Sequence, residues 1–362
     1  MATDSLIADT TARIFADLGD PRAVNAASDD GWKRDLWRAL EDAGLPLLWV
    51  PETAGGAGAS FVEGLAALEA AGAAACAVPL ADTMTAAWLA AAAGLEVPTG
   101  PLALMPAAEN AVLDDDGRIT GAWRDVPFAS MADHHLAVLA DGGGGYHVAL
   151  LVRPSDVVSG TGLAGDERGD VRVSDAMPFA CAPLPAMIGH DGPLLVAAAG
   201  RAALMAGALG ALVGLSVDYA GERVAFGRPI GKFQAVQQAL ARLAGEAAAA
   251  SVAAQASGWA LDSATKLAEA EIDVAAAKVR AGEAAGAGSA IAHQVHGAIG
   301  FTAEHVLHRY THRLWSWRDE YGSESLWAER LGRRIAAAGG DGFWGLLTGV
   351  PEPTLQAGGA WA

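Results

Sequence analysis

Basic residues are scarce in this chain of 362 residues: 24 lysines and arginines stand against 42 aspartates and glutamates, a formal charge of −18. A free-standing nucleic-acid binder needs the opposite balance, so that class is disfavoured. A nucleotide-like polyanion would have to be met by a local cluster of donors. Cysteine is scarcer still. Cys76 and Cys181 lie in apolar surroundings in different predicted domains and build neither a disulfide framework nor metal-ligand spacing. Two reduced, partly buried thiols and no metal are therefore expected. Uninterrupted apolar runs are missing as well, because charges and glycines break the alanine-rich stretches before membrane-spanning length. The N-terminal MATDSLIADTTARIF carries acids early and has no basic-plus-apolar leader pattern. These absences predict a cytoplasmic protein without a membrane span.

What the chain has in abundance is alanine, within a hydrophobic content of 52%. Alanine gives up no rotamers on entering a helix, so the composition favours helix, and β-branched residues are sparse outside the middle third. Residues 1–104 read as helices with short breaks. Trp32, Leu36, Trp37 and Leu40 share helical spacing before Gly44, and helical patterns resume over 61–73 and 83–93. Between them LPLLWVPETAGGAG (45–58) is a short apolar run ending in a glycine-rich turn. From 105 to 188 the texture changes to short strand candidates at 111–113, 118–123, 134–139, 147–152 and 171–173, separated by turn material. A small antiparallel β-barrel or sandwich is expected there. From 189 to 348 long helices are expected at 194–225, 233–259, 263–295 and 324–337, forming a C-terminal four-helix bundle. Residues 349–362 form an expected flexible tail. The predicted class is thus mostly α with a β middle domain.

Two segments about sixty residues apart do not follow from helix packing. The first is YAGERVAFGRPIGKFQAVQQ (219–238), the second QVHGAIGFTAE (294–304). Arg223, read as buried, has the forked, permanently charged donors that suit a phosphate or a pyrophosphate. A helix-end arginine bonding its own carbonyls is the plainer reading of that residue alone. Gly297 and Gly300 would let backbone approach a ligand closely, although GAxG between helices also reads as a simple turn. His296 at a helix end is most simply structural.

As whole strings, these segments resemble the flavin-binding signatures of the acyl-CoA dehydrogenase family, as do LWRALEDAGLPLLWVPETAGGAGASF and the helix–β–helix plan of nearly the whole chain. The resemblance implies FAD as cofactor. It places Arg223 on the pyrophosphate, Phe226 against the cofactor and Gln234 near it. Gln294, Gly297 and Ala298 fall along the adenine and pyrophosphate half of a flavin held by a neighbouring subunit. Ala298 departs from the pattern, where glycine is usual. The family's reaction is α,β-dehydrogenation of an acyl-CoA thioester: a glutamate removes the α-proton and a hydride passes to flavin. Glu320, in RLWSWRDEYGSESLWAE (313–329), is the candidate base, although ungapped counting from Gly300 puts Tyr321 at that position. The alternative is a solvated acidic loop with Asp319, Glu320 and Glu324 as surface charges. The other place where some members carry the glutamate corresponds to LLVAAAGR (194–201), which has no carboxylate.

The middle domain departs further. MPAAENAV (105–112) and DVPFAS (125–130) stand where the family's flavin-lining motifs lie. Two versions follow. In one the chain is a complete enzyme with Glu320 as base, in a homodimer or tetramer. In the other it is a divergent subunit of a heterotetramer, completing the flavin site of a catalytic sister chain. An acyl-CoA substrate and an electron-transfer flavoprotein as acceptor are the expected partners in both.

Overall fold

The computed structural model describes residues 2–27, 30–108, 110–154 and 156–348, so the tail expected at 349–362 lies outside the described residues. The N-terminal third is helical: α1 (Ala2–Leu18), α2 (Pro21–Ala26), α3 (Gly31–Asp42), α4 (Phe61–Gly72) and α5 (Leu80–Ala92). Local chemistry explains the boundaries. Asp20 caps α2 by accepting from the Arg22 and Ala23 amides. Ser60 and Glu63 form a reciprocal capping box that starts α4. Leu36 and Leu40, one turn apart on α3, are fully buried.

The middle third is one sheet of eight strands: β1 (Leu102–Met105), β2 (Val112–Leu113), β3 (Ile119–Pro127), β4 (His134–Asp141), β5 (Tyr146–Val152), β6 (Asp156–Thr161), β7 (Glu167–Ala176) and β8 (Ala180–Pro183). Its order is β6-β7-β3-β2-β4-β5-β8, with β1 also on β4. The pairings are mostly antiparallel, but β1 and β2 both run parallel to β4, so the sheet is mixed rather than purely antiparallel. Side chains alternate between two cores. Leu102, Leu104, Leu136, Val138, Val148 and Leu150 face the core shared with the helices. Ala103, Met105, Ala137, Leu139, Ala149 and Leu151 face a second core that belongs to the sheet. Strand β6 (DVVSGT) offers only two adjacent valines and no alternation, and Val157 alone of its six residues is even partly buried. Cys181, on β8, is exposed, which corrects the expectation of partial burial; Cys76 is buried, and burial pushes its thiol up to about 11.

The last third comprises α6 (Gly192–Glu222), a hairpin of β9 (Val224–Ala225) and β10 (Arg228–Pro229), α7 (Gln234–Ser263), α8 (Glu271–His296), α9 (Leu307–Asp319) and α10 (Glu324–Thr348). Helix α6 is the central rod. It packs on α4, α7, α8 and α9. Two glycines permit the tight α4–α6 crossing: a Cβ on Gly72 would lie 2.1 Å from the Leu204 carbonyl oxygen, and one on Gly207 1.8 Å from that of Glu69. α6 is the one helix, among the described residues, long and apolar enough to cross a membrane, yet 83% of its most apolar window is buried inside the protein. The helix expected from 263 starts only at Glu271, after a 3-10 turn over Leu267–Ala270. Helix α9 was not anticipated, because arginine and serine interrupt the apolar stripe on its buried face.

Candidate functional site

The first segment is built around the C-terminal end of α6. Arg223 caps that helix, its amide donating to the Tyr219 carbonyl, and its own carbonyl accepts from Ile230. The chain then reverses in the short β9–β10 hairpin. Its two turn residues, Phe226 and Gly227, have φ of 51° and 78°, the signature of a type I′ turn. Glycine adopts that conformation freely; a phenylalanine there is strained. Phe226 is also 96% exposed, with only an edge contact to Phe233 at 6.2 Å. A strained aromatic held out in water gains nothing within this chain. Arg223, read as buried from the sequence, is exposed, as is Gln234 at the start of α7.

The second segment ends α8. Gly297 closes the helix with φ 63°, and a Cβ there would meet nothing within 4 Å. Gln294, Gly297 and Ala298 are exposed; Phe301 is 74% exposed and stacks on His293 at 4.3 Å. The two segments meet through Tyr219, whose ring stacks on His296 at 4.5 Å. His296 is buried, with Nδ1 on the Ala292 carbonyl, and burial holds its pKa below the usual imidazole value. It is the structural hinge of this corner. All six residues are exposed, and none closes a pocket by itself.

Glu320 lies elsewhere, at the C-cap of α9. It is only 6% exposed, which rules out the solvated-loop alternative for this residue; Asp319 beside it is exposed. Arg168 and Ser316 donate to Oε1 and Arg201 to Oε2, the Ser316 contact being 3.4 Å. Arg201 also grips both oxygens of Asp82 at 2.9 and 2.8 Å, and Tyr321 donates to Asp82 from the other side. Arg168 reaches Asp125 at 2.8 Å and Asp166 at 3.5 Å, and Asp166 meets Arg313 at 3.2 Å. Lys278, fully buried on α8, donates to the carbonyls of Trp317, Arg318 and Glu320 at 3.0, 3.0 and 2.9 Å, capping α9. The cluster joins α5, the sheet and the bundle.

Its electrostatics follow from that geometry. Burial alone would raise the Glu320 pKa; Arg201 and Arg168 outweigh it and hold the carboxyl below its ordinary value. Burial and the facing Asp82 push the Tyr321 hydroxyl well above 10. Burial takes the Lys278 ammonium down to about 7, against the pull of Glu320. Next to the cluster remains a cavity of about 20 Å³, lined by Phe15, Cys76, Phe128, Arg201, Leu204 and Trp317. That is room for one water. On the other side a cleft of about 410 Å³ separates Pro106, Ala108, Trp123 and Asp125 from Glu320 and Tyr321. The Trp123 indole donates to the Pro106 carbonyl at 2.9 Å, joining two of the lining residues. Sequence reasoning missed Asp82, Arg168, Arg201 and Lys278. Two of them carried a signal: Asp82 and Arg201 are single charges inside apolar helical runs, and such charges are buried only when paired.

Sequence profiles of the acyl-CoA dehydrogenase N-terminal domain and C-terminal domain match residues 2–96 and 192–336. The acyl-CoA dehydrogenase IpdE2 of Mycobacterium tuberculosis is 31% identical over 314 residues, covering 85% of this chain and 89% of that one. The acyl-CoA dehydrogenase FadE27 of the same organism is 30% identical over 345 residues, covering 84% and 88%. The chain belongs to the acyl-CoA dehydrogenase family.

Among solved structures, the ChsE4-ChsE5 complex from Mycobacterium tuberculosis superposes with a TM-score of 0.80 at 24% identity, covering 93% of this chain and 98% of that one. The Tcur3481-Tcur3483 steroid acyl-CoA dehydrogenase, as its G363A variant, gives 0.80 at 27%, covering 92% and 98%. Within this family, the present chain pairs an open, strained surface corner with a buried, internally paired polar cluster.

Proposed function

We propose that this chain is an acyl-CoA dehydrogenase subunit that lends the phosphate-gripping half of a flavin site to a neighbouring chain, while its Glu320 is a structural carboxylate. Separation carries the reading. Arg201, which holds Glu320, and Arg223, at the lending corner, bracket most of α6; at ~1.5 Å of rise per residue they stand about 33 Å apart. One dinucleotide does not touch both ends. The corner therefore serves a flavin whose ring lies in another chain.

The residues at the corner fit that cofactor. Arg223 would hold its pyrophosphate, Phe226 would cover its flat surface, and Gln234 and Gln294 would hydrogen-bond its polar edges. The open backbone at Gly297 and Ala298 would let it lie close. When bound, FAD supplies the hydride acceptor for α,β-dehydrogenation of an acyl-CoA thioester. The chain's own ring-facing cleft fits less well, since Arg124, Asp125, Arg168, Asp319 and Glu320 line it with charge. A general base also needs a carboxylate free to take a proton, and both oxygens of Glu320 are occupied by guanidinium groups. The sister chain would then supply the proton-abstracting glutamate. The relatives solved as two-chain complexes, one of them a steroid acyl-CoA dehydrogenase, support a heterotetramer acting on a bulky acyl-CoA. A cytoplasmic location and an electron-transfer flavoprotein as acceptor complete the proposal.

A second reading keeps Glu320 as base in a homodimer or tetramer. Its support is the dry setting at the cleft edge, and it requires Arg168 and Arg201 to release the carboxylate. Purification separates the two. Alone, the chain is expected to be colourless; with its sister chain, yellow, and Arg223→Ala in this chain should strip most of the flavin from the assembly. A yellow protein from this chain alone, bleached by an acyl-CoA, supports the second reading.

A further inference from the structure

The chain carries a formal charge of −18, yet three cationic side chains converge on one cleft whose lining includes none of the six corner residues. This cleft, of about 520 Å³, lies where α2 and α3, the Gly162–Asp166 turn region and α9 meet, and is lined by Asn25, Asp30, Lys33, Ala164, Arg309 and Arg313. Arg309 and Arg313 are one helical turn apart on α9, so their side chains project from one face. They are held very differently. Arg313 is fixed: its side chain is 3% exposed, it pairs with Asp166 at 3.2 Å, and it reaches the Ala164 carbonyl at 3.4 Å. Arg309 is partly buried, and its guanidinium makes no hydrogen bond or ion pair with any described residue. The Nε atoms of both are buried without an acceptor.

A guanidinium withdrawn from water without a counter-charge is costly, and burial already pulls the Arg309 pKa down. The near carboxylates are committed: Asp30 pairs with Lys33 at 2.7 Å, and Asp166 with Arg313 and Arg168. The Asn25 amide is oriented at the rim by its bond to the Ala303 carbonyl at 2.9 Å. With Asp30 held by Lys33, what Arg309 lacks is a paired acceptor with negative charge and two oxygens, the complement of the guanidinium fork.

We propose that this cleft is an oxyanion-binding site, in which Arg309 takes the phosphate or carboxylate group of a small molecule, with Arg313 behind it and Asn25 and Lys33 at the mouth. The site is independent of the flavin reading. It is also mechanically connected to the buried cluster, because Asp166 links Arg313 to Arg168, which holds Glu320.

The test is calorimetric titration of the full chain with inorganic phosphate and, separately, with succinate, against sodium chloride at matched ionic strength. Saturable binding of either anion above chloride is expected, and which one binds identifies the oxyanion class. Arg309→Gln should weaken it at least tenfold, while Arg309→Lys, keeping the charge without the fork, should retain part of the affinity. Absence of saturable binding for both anions overturns the proposal, as does undiminished binding by folded Arg309→Gln protein.

Discussion

The corner at 219–238 and 294–304 and the cluster around Glu320 are both polar regions of one helical body, and they spend their polarity in opposite ways. At the corner, Arg223, Gln234 and Gln294 point outward, and Phe226 is held strained and exposed. At the cluster, arginines and carboxylates pair with one another and Lys278 holds the end of α9, leaving a cavity of about 20 Å³. A region whose groups are satisfied within the chain serves stability, and a region left unsatisfied serves a ligand or partner.

The largest effect should come from breaking the cluster. Arg201→Ala leaves Asp82 buried without a cation and Glu320 with Arg168 alone, and should cost about 3–5 kcal/mol in urea unfolding, the range for removing one partner of a buried ion pair. Acid should reach the interior next. His135 on β4 is fully buried, and burial lowers its pKa from 6.5 to about 4. Because the folded value is depressed, the folded state resists protonation. Stability should therefore fall as pH drops from 6.5 towards 4, by on the order of 3 kcal/mol. Glu320 adds to the loss at lower pH: its folded pKa is below the ordinary carboxyl value, so its contribution is present above that value and disappears as pH falls through the folded one. A melting-temperature series across pH reads both, and His135→Gln should flatten the upper part.

At the corner the same measurements should barely respond. Phe226→Gly removes a left-handed phenylalanine that buries almost nothing, so stability should hold or rise by about 1 kcal/mol. The same variant should lose flavin from the assembly, measured by absorbance per chain. Arg223→Ala should shift unfolding by less than about 0.5 kcal/mol, as for other exposed sites. A destabilisation at the corner as large as that of Arg201→Ala would erase the contrast.

The sequence made the corner legible because its residues depart from what helix packing asks for: arginine, glycine and phenylalanine at a helix end have no packing reason to be there. The helical thirds and the middle sheet were legible from periodicity and alanine content. The parallel register of β1 and β2 on β4 was not, because strand pairing depends on contacts distant in sequence. Helix α9 was hidden for a related reason. Arg313 and Ser316 sit on its buried face, where they break the apolar stripe, and only the partners Asp166, in the turn before β7, and Arg168, on β7, make that face reasonable. Glu320 was noticed, but nothing local to it reveals that Arg168 and Arg201, far away in sequence, converge on its two oxygens.

The central claim concerns which carboxylate takes the substrate proton, and one measurement addresses it: anaerobic bleaching of the assembly's flavin by an acyl-CoA, expressed as a rate per bound flavin, with Glu320→Gln in this chain compared against wild type. If Glu320 only holds the interior together, the rate per flavin should stay within about threefold, whatever happens to stability. A loss of roughly a hundredfold or more, the scale of a missing general base, would contradict the account and make Glu320 the catalyst.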